Sequence, residues 1–418
     1  MTGMRIIDSA NTRAVRALLN RRPARDPRIA RRVSRIIERV RAGGDAALLG
    51  FARRFDRLDE PIDVSRMEMV RAARTLDPEV RSAIRVAAGH IRLVARKQLP
   101  TGWSAVPSSG IRITQRVVPL DRVGCYVPGG RYPLPSTLLM TAIPAAVAGV
   151  REVIAVCPGV DRTIMAAALE AGVTRLLRVG GAHAIAALAY GTRTIPRVDK
   201  IVGPGNAYVA AAKAAVAADC AIDFFAGPSE IAVVSNGGRA RWIAADLIAQ
   251  AEHDVDARAI LFTSSHRLAT AVATQIAVQL PKAGPAARAL RTNGGIVLAR
   301  SLDEAIELCQ QMAPEHVVCD SPAVARRLTR AGTVFVGHYS AQATGDYATG
   351  SNHVLPTSGA AAGRGGLSAA DFVRVSTVQQ LTERGLRRIA PSVVALAEAE
   401  GLRAHADSIR IRVPSVKR

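Results

Sequence analysis

The chain has 418 residues with a formal net charge of +22, and 49% of the residues are hydrophobic. This composition is typical of a folded protein with a well-buried core, not of a disordered or fibrous one. The positive charge comes almost entirely from arginine and is dispersed, apart from a run over residues 13–54 in which apolar residues recur at helical spacing. The charge pattern therefore favours a solvated helical surface over a nucleic-acid-binding role.

The cysteines also indicate a compartment. They are Cys125, Cys157, Cys220, Cys309 and Cys319. An odd number without a CxxC pair predicts free thiols in a reducing environment rather than a disulfide framework. The N-terminus lacks the apolar core of a signal peptide. The longest largely apolar stretch, residues 138–150, contains a proline and is too short to span a bilayer. We therefore expect a cytoplasmic protein with no membrane partner.

The first hundred residues are predicted to be helical. Periodic apolar residues indicate helices over residues 27–41, 45–55 and 78–96. A Gly-Gly pair separates the first two, and Asp45 is placed as the N-cap of the second.

The remainder of the chain changes texture twice. From residue 153 to residue 336, short β-branched runs alternate with Ala-rich helical segments, which predicts parallel sheets covered by helices on both faces. Residues 337–368 are rich in Gly, Ser, Thr and Ala and predict a long irregular loop, a feature that is usually functional in enzymes. The tail is predicted as helices over residues 369–402 and a short strand over residues 408–413.

One candidate metal site lies near the end of a predicted helix. Gln250 and His253 are three residues apart, which places both side chains on one helical face. Zinc binds imidazole readily and accepts carboxylate oxygen, and Asp346 and His405 are further candidates downstream. Because glutamine is a rare metal ligand and a single histidine at a helix end is usually a surface or capping residue, spacing alone does not establish the site.

A second candidate is an adjacent acid–base pair. Glu315 and His316 follow Pro314 at the end of a predicted helix and precede a strand. A carboxylate and an imidazole presented together to a cleft suit general acid–base catalysis. The alternative is a solvated turn with an incidental charge pair, and the local pattern alone favours that alternative.

Glycine-containing turns follow three of the predicted strands, at residues 127–130, 179–181 and 202–206. Glycine lets a backbone approach a ligand closely, and the helix N-terminus that follows favours phosphate. The chain has no GxGxxG motif. Dinucleotide binding is therefore permitted but not demonstrated, and each turn alone is equally consistent with ordinary tight-turn geometry.

These motifs occur together, and in the same order, in one enzyme family. The chain resembles the histidinol dehydrogenases from about residue 20 to residue 413. The matching segments are DRVGCYVPGG (121–130), VDKIVGPGN (198–206), AGPSE (226–230), QAEH (250–253), APEH (313–316), GDY (345–347), NHVLPT (352–357), and EGL (400–402) followed by His405. Several independent motifs in the correct order are far more specific than any one of them.

The resemblance implies a role for each candidate residue. The implied ligands of one zinc ion are Gln250, His253, Asp346 and His405. The implied acid–base residues are Glu315 and His316. The implied substrate contacts are Ser229, His353 and Glu400, together with His316 and the four zinc ligands. The implied NAD contacts are Tyr126, His183 and Asn206.

The implied reaction is the oxidation of L-histidinol through L-histidinal to L-histidine with two NAD. His316 would accept the alcohol proton, and Glu315 would activate the water that hydrates the aldehyde. In this family the tail ligand comes from the partner subunit, so the resemblance implies a homodimer with shared active sites.

The resemblance also implies an α/β fold with two Rossmann-like parallel-sheet domains. The expected first domain combines residues 21–125 and 230–367 and carries the metal and catalytic site. Residues 126–229 form the expected second domain, on the NAD side. A helical N-terminal segment covers residues 1–20, and a small helical tail, residues 368–418, is expected to dock on the partner subunit.

Some positions depart from the family pattern. His183 stands where a glutamine that contacts NAD is expected, which leaves the cofactor affinity open. Phe224 and Phe225 stand where non-aromatic residues are usual, and residues 360–366 are unusually rich in Gly and Ala. Two alternatives remain at this point. One is a paralogous zinc- and NAD-dependent dehydrogenase of another polar alcohol, such as a sulfonated diol. The other is a basic, non-catalytic binding protein.

Overall fold

The structure, a computed structural model, describes most of the chain. The described residues are 4–20, 26–129, 132–225 and 227–413. The motif residues Gly130 and Ala226 lie outside them. The chain divides into two compact units. The first unit combines Met1–Gln98 with Asp121–Phe372, and the second combines Leu99–Leu120 with Val373–Arg418.

Strands and helices alternate through the first unit, as the sequence predicts. The strands are β1 (Ile6–Asp8), β2 (Asp63–Val64), β3 (Trp103–Ser108), β4 (Ile111–Pro119), β5 (Arg122–Tyr126), β6 (Glu152–Val156), β7 (Arg175–Leu177), β8 (Lys200–Val202), β9 (Ala221–Ile222), β10 (Glu230–Val234), β11 (Arg258–Thr263), β12 (Gly295–Leu298), β13 (His316–Cys319), β14 (Thr333–Val336) and β15 (Val373–Leu381). The helices are α1 (Thr12–Leu19), α2 (Pro27–Phe51), α3 (Arg66–Thr75), α4 (Pro78–Gln98), α5 (Pro135–Ala148), α6 (Arg162–Ala171), α7 (Gly181–Tyr190), α8 (Ala207–Val216), α9 (Ala240–Ala251), α10 (His266–Gln279), α11 (Ala286–Asn293), α12 (Leu302–Met312), α13 (Pro322–Ala325), α14 (Gln342–Tyr347), α15 (Glu383–Ala399) and α16 (Arg403–Arg410).

The first unit contains two six-stranded sheets. The first sheet has the order β1-β12-β11-β10-β13-β14, and all its pairings are parallel. The second sheet has the order β2-β7-β6-β5-β8-β9, and only the edge pairing of β2 with β7 is antiparallel. The α/β fold with parallel sheets is therefore confirmed.

Both sheets are doubly wound. The chain runs outward from β10 through β11 to β12 and then returns to β13, beside β10. It likewise runs outward from β5 to β7 and returns to β8, beside β5. Each sheet consequently has a point where the direction of winding reverses, and ligands of such folds bind outside the carboxyl ends of the strands at that point. The domain boundaries expected at residues 125/126 and 229/230 stay a prediction.

The apolar stretch around residue 140 forms α5, whose residues are mostly buried on all sides within the first unit. Pro144 is accommodated inside this helix. Among the described residues, no helix has both the length and the apolar character needed to cross a membrane.

Two predictions for the first hundred residues need correction. The predicted break at the Gly-Gly pair is a kink inside the single helix α2, where Gly44 adopts φ 51° and ψ −134°. Asp45, predicted as the N-cap of a new helix, instead accepts a hydrogen bond from the Thr194 hydroxyl at 2.8 Å. The helix continues through the kink because glycine tolerates the positive φ that the bend requires.

The second unit also differs from its prediction. It contains a three-stranded antiparallel sheet in the order β15-β4-β3, in which β15 pairs with β4 over nine residues. The prediction of helix at residues 373–381 was therefore wrong, and so was the predicted strand at residues 408–413, most of which belongs to α16. The segment VRVSTVQQL is rich in β-branched residues and finds its strand partner more than 250 residues away in sequence. Docking of this tail on a partner subunit stays a prediction.

Candidate active site

Two sheet edges of the first unit meet at a cavity. Gly203 and Pro204, which follow β8, line one side of it. Ser229, Glu315 and His353 line the other side, and the first two of these directly precede β10 and β13. The cavity thus lies between the carboxyl edge of the second sheet and the amino edge of the first, next to the winding reversal of each.

The Glu315–His316 pair is held by the backbone of β10. Ala313 ends α12 in the left-handed conformation at φ 46°, and the chain then turns into β13. The Glu230 N–H donates to Glu315 Oε2 at 2.8 Å, and the ring Nδ1 of His316 lies 3.1 Å from the Glu230 carbonyl oxygen. A carbonyl accepts only, so Nδ1 carries the proton and Nε2 carries the lone pair.

Burial decides the charge of this pair. Glu315 is 6% exposed and His316 is 3% exposed, so the alternative of a solvated turn was wrong. Burial lowers the pKa of His316 to about 4, against the opposing effect of Asp346. The imidazole is therefore neutral at pH 7 and able to accept a proton. Burial raises the pKa of Glu315 well above its ordinary value of 4.5.

Asp346 and His353 converge on the same imidazole from the irregular segment after β14. Asp346 Oδ1 lies 3.8 Å from His316 Nε2. The backbone carbonyl of Asp346 accepts a hydrogen bond from His353 Nδ1 at 2.9 Å, and His353 Nε2 lies 3.4 Å from the Thr137 hydroxyl. The long loop predicted over residues 337–368 is thus mostly irregular, as expected, and it brings two of the candidate residues to the cavity.

Sequence reasoning missed one member of this cluster. The Gln342 carboxamide donates to Asp346 Oδ2 at 2.7 Å, and its Nε2 lies 3.5 Å from His316 Nε2. Gln342 and Asp346 are four residues apart on α14, and that spacing is the signal that could have identified the pair.

Gln250 lies at the end of α9 with its side chain fully buried. Within the described chain, neither the Oε1 nor the Nε2 atom of this carboxamide has a hydrogen-bond partner. A buried carboxamide without partners is costly, so the site is suited to a ligand that the Oε1 atom can bind. His253 follows the helix and is exposed, and positive charge on it further lowers the pKa of both His316 and His353.

The predicted zinc set draws on both compact units. His405 lies on α16 and Glu400 ends α15, and both side chains are exposed on the second unit. Among the described residues, no group of three or more His, Cys, Asp or Glu side chains is placed to hold a metal. Only His253 and Asp346 come from the first unit in those residue types, because the remaining predicted ligand there is Gln250.

The three candidate NAD contacts lie at the carboxyl edge of the second sheet. The Tyr126 hydroxyl, at the end of β5, accepts a hydrogen bond from the Gly181 N–H at 3.1 Å. Asn206 caps α8 by accepting from the N–H groups of Tyr208 and Val209. The buried His183 ring pairs through Nε2 with the Asp56 carboxylate at 2.8 Å. A direct contact between His183 and NAD stays a prediction.

A buried ion pair shapes the Gly203 turn of the cavity. Lys213 and Asp223 form this pair, and each is less than 5% exposed. Lys213 Nζ donates to the Gly203 carbonyl at 2.9 Å, and Asp223 Oδ2 accepts from the Gly203 N–H at 2.8 Å. A Cβ at Gly203 would lie 2.2 Å from the Tyr126 carbonyl oxygen, so the turn requires glycine.

Replacing Lys213 with methionine is expected to lower the free energy of unfolding by about 3–5 kcal/mol, because it leaves the Asp223 carboxylate buried without its counter-ion. Urea unfolding measures the change, with the exposed Lys282→Met as the matched control. A loss below about 1 kcal/mol would show that Asp223 is neutral or hydrated in the folded protein.

The fold and the site together define an α/β enzyme whose buried acid–base pair lies between two doubly wound sheets. The chain matches the sequence model of the family described as histidinol dehydrogenase over residues 19–413. It is 44% identical to the histidinol dehydrogenase of Aromatoleum aromaticum over 95% of this chain and 94% of that protein. It is 46% identical to that of Geobacillus kaustophilus over 92% and 93% of the two chains. The crystal structure of histidinol dehydrogenase from Elizabethkingia anophelis superposes with a TM-score of 0.93 at 32% identity, covering 99% of this chain and 98% of that one.

The chain therefore belongs to the histidinol dehydrogenase family, and it is an oxidoreductase. Membership of this family removes the alternative of a non-catalytic binding protein.

Proposed function

We propose that the protein oxidises L-histidinol through L-histidinal to L-histidine, using two NAD and one zinc ion per subunit. The observation that carries this proposal is the convergence of Asp346 and His353 on the neutral, buried imidazole of His316 beside a cavity. The names of the similar proteins support the same substrate.

Zinc would be held by Gln250, His253 and Asp346, with His405 supplied by a second copy of the chain. The buried carboxamide of Gln250, which lacks hydrogen-bond partners among the described residues, fits a metal ligand better than a structural residue. When bound, zinc would hold the amine and imidazole nitrogens of the substrate in a fixed pose. The exposure of His405 and Glu400 in the single chain is consistent with their use by a partner subunit of a homodimer.

The second sheet is the better place for NAD. At the winding reversal of the first sheet, Asp320 Oδ2 accepts hydrogen bonds from the N–H groups of Asn236 and Gly237. A carboxylate therefore already occupies the amides that a phosphate would need. At the reversal of the second sheet, Tyr126 and Asn206 lie beside the turn that lines the cavity, and we assign them to NAD together with His183. NAD, when bound, accepts the hydride.

The residues of the chain supply proton transfer and orientation. His316 accepts the alcohol proton on Nε2 as the alcohol is oxidised, since that nitrogen is unprotonated. Glu315 then removes a proton from the water that adds to the aldehyde. Ser229 and His353 contact the substrate from the cavity wall, and Glu400 would contact it from the partner subunit.

We place the enzyme in the cytoplasm, without nucleic-acid or membrane partners. The five buried cysteines fit a reducing compartment. The arginine-rich surface includes many charges that pair with carboxylates, as in Arg122–Glu152 and Arg175–Asp63, which is consistent with an ordinary solvated surface.

The deciding experiment is NADH formation by the zinc-loaded protein with L-histidinol, followed to completion. Two NADH per histidinol with histidine as the product are expected. A zinc-loaded protein that is inactive with histidinol but oxidises another polar alcohol, such as a sulfonated diol, would establish the paralogous alternative instead.

Removal of a metal ligand gives a test that does not depend on turnover. His253→Ala and Asp346→Asn are each expected to lower the bound zinc at least tenfold after dialysis, because second- and first-shell losses in metal sites cost about 10–100-fold in affinity. Elemental analysis measures the zinc. His266→Ala, on the exposed start of α10, is the control. Full zinc occupancy in both variants would show that the metal site lies elsewhere.

A further inference from the structure

A buried ion pair stands directly behind the acid–base residues. Glu230 begins β10 and Arg258 begins β11, and the two are opposite each other in the parallel register. Glu230 is 0% exposed and Arg258 is 4% exposed. Arg258 Nη1 donates to Glu230 Oε1 at 2.8 Å, and Arg258 Nη2 donates to the carbonyls of Leu18 and Leu19 at 2.6 and 3.0 Å. The arginine thereby ties the start of β10 to the C-terminal end of α1.

Glu230 connects this pair to both catalytic candidates. Its second carboxylate oxygen accepts a hydrogen bond from the Ser358 N–H at 3.2 Å. Its own N–H donates to Glu315, and its own carbonyl accepts from His316. The side chain of Glu230 is thus anchored at both oxygens, and its backbone orients the carboxylate and the imidazole at once.

Stability alone does not require charges at these two positions. Replacing a buried ion pair with apolar residues of similar volume is often neutral or stabilising, because both ions lose their hydration on burial. An apolar pair would pack as well but would provide neither the anchor at Leu18 nor the one at Ser358. The hydrogen bonds therefore account for the pair better than packing does.

We infer that Arg258 and Glu230 are positioning residues for the acid–base chemistry. They fix the first residue of β10 so that its N–H aims the Glu315 carboxylate and its carbonyl keeps the His316 proton on Nδ1, with Nε2 unprotonated. This inference rests on the proposed function for the roles of Glu315 and His316, but the tautomer of His316 can be measured without turnover.

The second sheet supplies a matched control. Arg122 and Glu152 also begin adjacent parallel strands and lie opposite each other in register, with Arg122 Nε 2.8 Å from Glu152 Oε2. They lie at the amino end of the second sheet, away from the cavity edge where β5 ends. The double variant Arg122→Met/Glu152→Met removes the same kind of pair as Arg258→Met/Glu230→Met.

The Arg258→Met/Glu230→Met variant is expected to lower kcat with L-histidinol by about 10–100-fold, with the KM values for histidinol and NAD within about threefold of wild type. The control variant is expected to keep kcat within about threefold. Arg258→Lys retains the charge but cannot reach all its present acceptors, so its kcat is expected to lie between wild type and the single variant Arg258→Met. The lysine variant also gives a reading if the double variant does not fold.

Nitrogen NMR of histidine-labelled protein measures the tautomer, with the His316 signals assigned by their loss in His316→Asn. Wild type is expected to carry the proton on Nδ1, and the Arg258→Met/Glu230→Met variant to lose that preference. An unchanged tautomer, or a fall in kcat no larger than in the control, would overturn the inference. A wild-type protein that leaves histidinol unoxidised would refute the proposed function, while the tautomer comparison would still decide the role of the pair.

Discussion

Replacing His316 with asparagine is expected to lower kcat for L-histidinol oxidation by about 10²–10⁴-fold, the usual loss when a general base is removed. The asparagine amide can still donate to the Glu230 carbonyl in place of Nδ1, so the backbone contact is retained. What disappears is Nε2, the unprotonated nitrogen next to Asp346. Initial rates at saturating histidinol and NAD measure the effect.

The matched control is His266→Asn, an exposed histidine on α10. It is expected to keep wild-type kcat. The binding of NAD and zinc by His316→Asn should also stay close to wild type, since His316 is not among the proposed ligands of either. A kcat within tenfold of wild type would mean that another group, or water, accepts the alcohol proton.

The architecture of the first unit could be predicted from the sequence because its buried strands have a local signature. Residues 153–157 form a continuous apolar, β-branched run, and the strand found there is Glu152–Val156. Parallel strands covered on both faces need apolar side chains on both faces, so each one is visible without knowing its neighbour. The same reasoning located the helices between them, including α9, which carries Gln250.

The second unit could not be predicted in the same way. Strand β15 is exposed along most of its length and pairs with β4, so its stability depends on a partner distant in sequence. Flanking helical segments made a continuous helix the simpler local interpretation. The strand expected at residues 408–413 failed for the opposite reason, because a short run that includes Ile409 and Ile411 is equally compatible with α16.

The candidate site shows the same limit. Glu315 and His316 are visible as residue types, but their local context favoured a solvated turn, and only the packing of β10 against β13 buries them. The backbone groups of Glu230 carry no signal in residue identity at all. The family resemblance supplied the roles of these residues, whereas their charge states follow from the burial that the fold creates.

Replacing Glu315 with glutamine is expected to separate the two oxidations. The glutamine Oε1 can still accept from the Glu230 N–H, so the change removes the base while retaining the backbone contact. Oxidation of histidinal, which needs an activated water, is expected to slow by about 10²–10⁴-fold. The yield of NADH should fall from two toward one per histidinol, and aldehyde trapped with semicarbazide should accumulate.

The raised pKa of Glu315 gives this prediction a pH signature. A base works only when deprotonated, so wild-type oxidation of histidinal should decline as the pH falls through a value well above 4.5, whereas an exposed carboxylate would lose activity only near that value. Protonation of His316, whose Nδ1 lies 3.7 Å from Glu315 Oε2, favours the carboxylate, so the proton taken up in the first oxidation prepares the base for the second. Glu307→Gln, on the exposed face of α12, should keep the wild-type profile. If Glu315→Gln still yields two NADH at the wild-type rate, the water is activated by another group and the raised pKa of Glu315 has no part in the second step.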